Sequence, residues 1–249
     1  MHEEKILVID YGSQYTQLIA RRIRENNTYC EVLSPESLIK IKNLDNILGV
    51  ILSGGPNSVI ENNNYDLPDL LFKKNTPLLG ICFGMQLICK KFNGKIQEST
   101  SREYGKAKLE IKKDVPILNG LNKTLEVWMS HGDSVTEIPN NFSVIATTNK
   151  KSLSAIKSND REIYGIQFHP EVTHTLDEGK IIYNFVNKIC RSKGEWTTKN
   201  IIDNQVSHIR EKVQSDHVIL GLSGGVDSSV AAAIIHKAIQ SQLTCIFID

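Results

Sequence analysis

The sequence lacks a long apolar run, an excess of charge and any pair of closely spaced cysteines. Its 249 residues carry a formal net charge of +1, and 40% of them are hydrophobic. A membrane-spanning helix needs about 20 consecutive apolar residues, and a nucleic-acid-binding surface needs a cluster of basic ones. The five cysteines are scattered and odd in number, which argues against a disulfide framework or a zinc site. We therefore expect a cytoplasmic protein with reduced thiols, and neither a membrane nor a nucleic acid as its partner.

Short apolar segments alternate with helix-like segments through the first part of the chain. Ile6–Asp10, Leu48–Ser53 and Pro77–Ile81 have the composition of strands that are buried on both faces. From Lys95 to Ile166 the pattern changes to short β-prone runs separated by turns, which is typical of added or antiparallel strands. We expect residues 1–192 to form an α/β domain with a mostly parallel, doubly wound sheet and an added smaller β region.

A second α/β unit is predicted after a linker. Residues 193–205 combine glycine, threonine and charged residues and then begin an amphipathic helix. Residues 206–249 continue with a strand, a helix and another strand, which is the start of a βαβ unit. Because about fifty residues cannot bury both faces of a parallel sheet, we expect this second domain to be truncated and incomplete within the sequence.

Cys82 stands at a predicted junction between a strand and a helix. Gly80 and Gly84 flank it and permit strand and helix to approach closely around a sharp, strained turn. This is the pattern of a nucleophile elbow, with cysteine as the nucleophile. The N–H groups at the helix start favour a thiolate over a thiol. The alternative is an inert buried cysteine, which is the more common role of a cysteine in an apolar segment.

His169-Pro170-Glu171 supplies partners for such a nucleophile. Pro170 keeps the segment extended, so the side chains of His169 and Glu171 point the same way. A cysteine nucleophile needs a base, and the base needs a third group that orients it. Cys82, His169 and Glu171 match these three roles, although a lone histidine at a strand end is more often a satisfied polar residue.

An oxyanion hole is the fourth element that such a site needs. Its usual donors are backbone N–H groups from the residue after the nucleophile and from a glycine-rich loop on a neighbouring strand. Phe83 follows Cys82, and Gly55 lies in the loop Ser53–Pro56 after an earlier predicted strand. The arrangement suits acyl transfer through a thioester: attack on an amide carbonyl, release of ammonia or an amine, and hydrolysis.

A second glycine-rich segment joins a strand to a helix in the predicted second unit, at residues 222–229. Its glycines expose consecutive backbone N–H groups, and the start of a helix favours anions. The spacing GxxxxGK[ST] and its lysine are absent, so the segment is not a Walker A loop. The alternatives are a phosphate-binding loop of another kind and a plain structural turn.

Three segments of the first domain resemble the class I, triad-type glutamine amidotransferases: Gly80–Gln86, Ser53–Pro56 and Phe168–Glu171. The resemblance covers residues 1–192. It implies that Cys82 forms a γ-glutamyl thioester, that His169 acts as acid and base, and that Glu171 orients His169. It also implies that glutamine hydrolysis needs no cofactor. The resemblance also implies a set of glutamine contacts, in which the segment Ser130–Asp133 directly follows a predicted strand. The full set is Gly54, Gln86, Ser130, His131, Gly132 and Asp133.

The second loop resembles the pyrophosphate-binding loop of the N-type ATP pyrophosphatases, which adenylate a substrate and release pyrophosphate. This resemblance implies ATP and Mg²⁺ as ligands, with Asp227 near the metal. The residues that it assigns to ATP and pyrophosphate are Ser223, Gly224, Gly225, Val226, Asp227, Ser228 and Ser229.

Taken together, the two parts resemble the GMP synthetase family, and the segments Ile9–Gln17 and Trp128–Asp133 add to the likeness. The resemblance implies that ammonia released at Cys82 aminates XMP that ATP has activated, which gives GMP, AMP and pyrophosphate. By this resemblance, we expect the rest of the ATP pyrophosphatase domain and the C-terminal dimerisation domain of that family to be missing from these residues. We therefore expect XMP binding and a homodimer to depend on those parts.

Two other functions remain open at this point. One is the glutaminase component of another amidotransferase, such as those of carbamoyl phosphate or anthranilate synthesis, and the fused second loop argues against it. The other is a glutamine-binding module without catalytic activity, which the presence of Cys82, His169 and Glu171 disfavours.

Overall fold

The computed structural model describes residues 4–61, 65–73, 75–148, 152–172 and 179–247, with the backbone alone at 99–103. The chain divides into two compact units, one that ends at Gly194 and one that begins at Glu195. This division falls within the segment 193–205.

One sheet forms the centre of the first unit. Its strands are β1 (Lys5–Ile9), β2 (Cys30–Leu33), β3 (Ile47–Leu52), β4 (Leu78–Ile81), β5 (Lys95–Ile111), β6 (Thr124–Glu137), β7 (Phe142–Thr148), β8 (Leu153–Ser158) and β9 (Ile163–Ile166). Their order in the sheet is β2-β1-β3-β4-β9-β8-β7-β5-β6. The first five strands in this order, β2, β1, β3, β4 and β9, pair in parallel. The other four, β8, β7, β5 and β6, add in antiparallel pairs. The predicted fold class is confirmed.

The helices of this unit connect the strands and cover the sheet. They are α1 (Thr16–Glu25), α2 (Pro35–Ile39), α3 (Leu70–Lys73), α4 (Phe83–Lys91) and α5 (Gly179–Tyr183). A 3₁₀ turn spans Pro116–Leu118, and α5 continues as a π-helical segment, Asn184–Ile189. None of the described helices has both the length and the apolar character needed to cross a bilayer.

Two hydrophobic clusters lie on the two faces of the sheet. Ile6 and Val8 of β1 belong to one cluster and Leu7 and Ile9 to the other, as the alternation of side chains along a strand requires. Helices α1 and α5 pack in the first cluster, and α2, α3 and α4 pack in the second. Because both faces are covered, the parallel strands read as nearly continuous apolar runs in the sequence.

The structure corrects the expectation that Ser130–Asp133 directly follows a strand. Strand β6 runs through this segment, and buried positions continue to alternate with half-buried ones as far as Val135. His131 and Asp133 occupy inward positions of that alternation, and β5 pairs with the segment on either side of an irregularity. Because some inward positions carry polar residues, the hydrophobic alternation from which a strand is predicted is interrupted in this segment.

The second unit contains α6 (Thr198–Val213), β10 (Val218–Leu222), α7 (Val226–Ile239), a 3₁₀ turn (Gln240–Gln242) and β11 (Leu243–Phe247). Strands β10 and β11 pair in parallel with α7 between them in the chain, so the predicted βαβ start is confirmed. Ile219, Ile246 and Phe247 of its sheet are exposed.

Candidate active site

Cys82 occupies a strained turn between β4 and α4. Its backbone has φ 52° and ψ −106°, a conformation that costs a residue with a side chain about 1–3 kcal/mol. Hydrogen bonds hold the turn on both sides: the Cys82 N–H donates to the Ile166 carbonyl at 2.7 Å, and the Gly84 N–H donates to the Ser53 carbonyl at 3.1 Å. The surrounding structure therefore imposes the conformation, as in a nucleophile elbow.

Gly80 and Gly84 allow β4 and α4 to approach as closely as they do. A Cβ atom at Gly80 would lie 2.5 Å from the main chain of Gly84, and one at Gly84 would lie 2.4 Å from the Leu52 carbonyl oxygen. Contacts this short are not tolerated, so a side chain at either position would separate the strand from the helix. The predicted role of the two glycines is confirmed.

His169 and Glu171 lie at the same edge of the sheet as the elbow. Ile166 of β9 stands opposite Ile81 of β4, so the residues that follow these two parallel strands emerge side by side. The Nδ1 atom of His169 lies 2.7 Å from Oε1 of Glu171, and both side chains are buried. The His169 N–H donates to the Trp128 carbonyl at 3.0 Å, which ties this segment to β6.

The pKa of the His169 imidazole reflects its partners. Burial alone lowers this pKa, but hydrogen bonds and charge interactions with Cys82 and Glu171 outweigh burial and raise it to about 10. Cys82 and His169 also flank the same residue, Gly54, so the two side chains are close neighbours. His169 is therefore an imidazolium at neutral pH, which places a positive charge beside the Cys82 side chain.

The glycine-rich loop after β3 lies against this pair. A Cβ atom at Gly54 would lie 3.0 Å from Cε1 of His169 and 3.7 Å from Cβ of Cys82. A Cβ atom at Gly55 would lie 2.8 Å from the Tyr11 carbonyl oxygen and 3.4 Å from the Phe83 ring. The two residues predicted to form an oxyanion hole, Gly55 and Phe83, are thus adjacent. Phe83 is the first residue of α4, so its N–H has no partner within the helix.

A cavity of about 550 Å³ opens beside Cys82, a size within the range of small-molecule sites. Four of the predicted glutamine contacts, Ser130 to Asp133, line it from β6, and Gln86 lines it from α4. The Gln86 side-chain amide donates to the Asp133 carbonyl oxygen at 2.9 Å, and Ser58 donates to the Asp133 carboxylate at 2.6 Å. The structure thus brings these residues together beside Cys82, and Gly54 lies against Cys82 and His169 outside the cavity lining.

Two neighbours of the Cys82–His169 pair were not predicted. The Tyr15 ring packs edge-on against the His169 ring, with centroids 5.1 Å apart, and nothing in the sequence spacing signals this contact. Gln167 is buried, and its side-chain amide nitrogen lies 3.7 Å from Sγ of Cys82. The structure also corrects the expectation that this segment is extended: residues 167 and 168 bend, and a turn at Pro170 and Glu171 is closed by the Val172 N–H, which donates to the His169 carbonyl at 3.4 Å.

The second predicted site lies at the start of α7. Gly224 has φ +76°, and Gly225 caps the helix without a side-chain hydrogen bond. The Ser228 and Ser229 hydroxyls donate to the Gly225 carbonyl at 3.0 and 2.9 Å. Asp227 stands exposed in the first helical turn, between Val226 and Ser228, and Ser223 closes the loop with Oγ 3.3 Å from that of Ser228. The loop presents helix-start N–H groups, an arrangement that suits an anion.

Fold and site together define an α/β protein with a cysteine elbow, a histidine–glutamate pair and an adjoining small-molecule cavity. The family model of class-I glutamine amidotransferases matches residues 7–189. The chain therefore belongs to the class-I glutamine amidotransferase family. The family model of NAD synthase matches residues 199–248.

Curated relatives and solved structures agree with this assignment. The glutamine-hydrolysing GMP synthase of Aliivibrio fischeri is 47% identical over 252 residues, which cover 100% of this chain and 48% of the relative. The chain thus spans about half the length of the curated relatives it matches. A structure from Thermoplasma acidophilum, provisionally described as one subunit of a GMP synthase, has a TM-score of 0.70 and 30% identity, covering 77% of this chain and 96% of that one. A glutamine amidotransferase from Thermotoga maritima, at 20% identity and a TM-score of 0.57, covers 97% of this chain and 100% of its own and supports the fold alone.

Proposed function

We propose that residues 1–192 hydrolyse glutamine through a thioester on Cys82, and that the ammonia serves ATP-dependent amination of XMP to GMP in the complete protein. The observation that carries the glutaminase part is the strained Cys82 elbow beside the His169–Glu171 pair, open to a cavity of about 550 Å³. The Aliivibrio fischeri relative, named as a glutamine-hydrolysing GMP synthase, supports the rest.

In the first step, the Cys82 thiolate attacks the side-chain amide carbon of glutamine. A C–S bond forms, and the π electron pair of the carbonyl moves onto its oxygen. The N–H groups of Phe83 and Gly55 would then donate to this oxyanion, since the two residues adjoin each other at the elbow. Backbone donors that are fixed before the reaction stabilise the developing charge without a cost of reorganisation.

In the next steps, His169 transfers protons in both directions. The imidazolium gives its proton to the amide nitrogen, the C–N bond breaks, and ammonia leaves with that electron pair. The neutral imidazole then takes a proton from water, which attacks the thioester and releases glutamate and the Cys82 thiolate. The Glu171 carboxylate, 2.7 Å from Nδ1, holds the ring so that its other nitrogen faces the sulfur.

The cavity suits recognition of the amino-acid end of glutamine. Asp133 supplies a carboxylate that Ser58 orients, and we assign it to the α-ammonium group of glutamine. Ser130, His131 and Gly132 line the same wall, and Gln86 anchors this wall through its bond to the Asp133 carbonyl. The site thus contains a negative group for the ammonium of the substrate.

For the second unit, we propose that the loop Ser223–Ser229 binds the phosphates of ATP. Its support is the uncapped start of α7 and the match to the NAD synthase model. Mg²⁺ is usually held by one or two carboxylates together with substrate phosphates, and Asp227 is an exposed carboxylate in the first turn that fits this role. Bound there, the ion would neutralise charge on the pyrophosphate.

The remaining partners follow from the same proposal. We assign XMP binding and homodimerisation of the complete protein to regions outside these residues, as the family resemblance implies. We also place the protein in the cytoplasm. This placement is supported by its five cysteines, all of which are free thiols in the structure.

A glutamine chloroketone, which alkylates a thiol only after binding as glutamine does, tests the glutaminase part. Incubation with the 249-residue chain should label Cys82, as located by peptide mass spectrometry, and an excess of glutamine should protect it. The exposed thiol of Cys245 serves as an internal control. It should react with the glutamine chloroketone no faster than it reacts with a chloroketone that lacks the amino-acid group. Absence of glutamine-protected labelling at Cys82 would contradict the proposal.

The synthetase part is tested separately, with the complete product of the gene that encodes these residues. Glutamine, ATP and XMP together should yield GMP, AMP and pyrophosphate in equal amounts. A protein that hydrolyses glutamine but does not aminate XMP would retain the glutaminase proposal and overturn the assignment to GMP synthesis.

A further inference from the structure

Gln167 lies where it can act on the nucleophile directly. It is the residue after β9, and its N–H donates to the Ser154 carbonyl at 2.9 Å, so the main chain is fixed. Because Ile166 stands opposite Ile81 in the sheet, Gln167 stands opposite Cys82. The Gln167 side chain is 1% exposed, and its amide nitrogen lies 3.7 Å from Sγ of Cys82.

The environment of the sulfur determines which end of the amide faces it. The Cys82 thiol donates its proton to the Ser130 carbonyl oxygen at 3.5 Å. With the proton directed there, a lone pair of the sulfur faces Gln167 and accepts from its amide N–H. Ionisation of the thiol makes the sulfur a stronger acceptor for Gln167 and removes the proton that the sulfur donates to Ser130.

The other end of the same amide is left without a partner. Within the described residues, Oε1 of Gln167 is buried and has no hydrogen-bond partner in the protein. Burying an unsatisfied amide oxygen is unfavourable for folding. An apolar side chain of similar length would avoid this penalty, so the glutamine is better explained by what its N–H does than by stability.

We propose that the side-chain amide of Gln167 stabilises the Cys82 thiolate by donating a hydrogen bond to its sulfur. The amide thereby raises the reactivity of the nucleophile at neutral pH. It is a fixed donor that acts before substrate arrives, alongside the imidazolium of His169. This inference depends on the proposed glutaminase only for its effect on turnover, since thiol reactivity can be measured without glutamine.

The test compares two variants that each remove a buried oxygen lacking a partner. Gln167→Met removes the donor and the orphaned oxygen together. Thr148→Val removes an oxygen, Oγ1 of Thr148, which is also buried without a partner in the part of the chain that is described. Alkylation of Cys82 by iodoacetamide is followed by peptide mass spectrometry across the pH range, and the urea midpoint of unfolding is measured in parallel.

We expect Gln167→Met to slow alkylation at pH 7 about tenfold, because the thiolate loses a charge-assisted hydrogen bond. The pH at which alkylation reaches half its maximal rate should rise, and the urea midpoint should stay the same or rise. Thr148→Val should leave alkylation unchanged. An alkylation profile of Gln167→Met that superimposes on that of the unaltered chain would overturn the proposal.

If Gln167→Met fails to fold, nuclear magnetic resonance on the unaltered chain provides the decision. The side-chain amide protons of Gln167 should shift with pH, and this shift should disappear in Cys82→Ala. Amide protons that do not respond to ionisation of Cys82 would overturn the proposal. If the alkylation profiles are as expected but the chain does not hydrolyse glutamine, the proposed function is contradicted and the role of Gln167 is retained.

Discussion

At the scale of single residues, the charge state of His169 links the geometry to the pH dependence of catalysis. Its pKa is raised to about 10 through Cys82 and Glu171 in spite of burial. Below that pH the imidazolium persists and, in the proposed mechanism, pairs with the Cys82 thiolate and protonates the amide nitrogen so that ammonia can leave. As the pH rises through about 10, the proton is lost and both effects end.

We predict that Glu171→Gln lowers the pKa of His169, because it removes a charge and weakens the hydrogen bond at Nδ1. The alkaline fall of kcat/KM for glutamine hydrolysis should move to lower pH. The maximal kcat/KM should drop about a hundredfold, which lies within the usual contribution of general acid–base catalysis. The pH–rate profile of each variant measures both effects.

Glu137→Gln provides the matched control, since it makes the same substitution in an exposed ion pair with Lys95. Surface pairs of this kind contribute less than about 1 kcal/mol, so this variant should keep the profile of the unaltered chain. A Glu171→Gln variant whose alkaline limb stays in place would show that the carboxylate does not act on His169.

The proposed catalytic residues could be predicted because simple chemical and geometric rules govern them. Cys82 was marked by its flanking glycines, and His169 and Glu171 by their spacing around a proline. Tyr15 could not be predicted, because its contact with His169 depends on how the loop after β1 folds across the strand ends. Gln167 could not be predicted either, because the chain bends and turns between it and Glu171 and an amide near a cysteine has no distinctive sequence pattern.

At the scale of secondary-structure elements, the junction of β4 and α4 positions the nucleophile. The junction depends on the close approach of α4 to β3, where Gly84 leaves no room for a side chain above Leu52. We predict that Gly84→Ala destabilises the protein by about 3 kcal/mol, the upper range for overpacking of a well-packed core. The urea midpoint of unfolding should fall accordingly.

Gly179→Ala is the control for this prediction. Gly179 is the first residue of α5, and a Cβ atom there would meet none of the described residues within 4 Å. Alanine is the better helix former, so the free energy of unfolding should stay the same or rise by up to about 1 kcal/mol. The urea midpoint should change in the same direction. Equal midpoints for Gly84→Ala and the unaltered chain would contradict the close approach that we describe.

The parallel strands were predictable as elements, whereas the long hairpin of β5 and β6 was not. Strands buried on both faces leave apolar runs in the sequence, as in β3 and β4. In β6, inward positions are taken by His131 and Asp133 because this stretch lines a polar cavity. These polar side chains interrupt the alternation of hydrophobic residues from which a strand is predicted.

At the scale of the whole molecule, the two units differ in the size of their cores. Both large hydrophobic clusters belong to the unit that ends at Gly194. The buried apolar residues of the other unit's cluster are Val206, Ala238 and Ile239. The first unit therefore contains what it needs to fold by itself.

We predict that a protein ending at Gly194 unfolds at the same urea midpoint as the 249-residue chain. Its Cys82 should be alkylated by iodoacetamide at the same rate, because the elbow, β9 and the glycine-rich loop all lie before that residue. The peptide of residues 195–249 serves as the complementary sample, and we expect it to remain unfolded in isolation, since so small a core cannot offset its conformational entropy. A shortened protein that aggregates or has a lower midpoint would count against independent folding.

The most direct test of the central claim is ammonia release from glutamine by the unaltered chain, Cys82→Ala and Cys245→Ala. Alanine keeps the Cβ atom at the strained turn, so Cys82→Ala should fold normally. We predict no release above background for this variant and unchanged release for Cys245→Ala, whose thiol is exposed in the second unit. Continued glutamine hydrolysis by folded Cys82→Ala would contradict the assignment of Cys82 as the nucleophile.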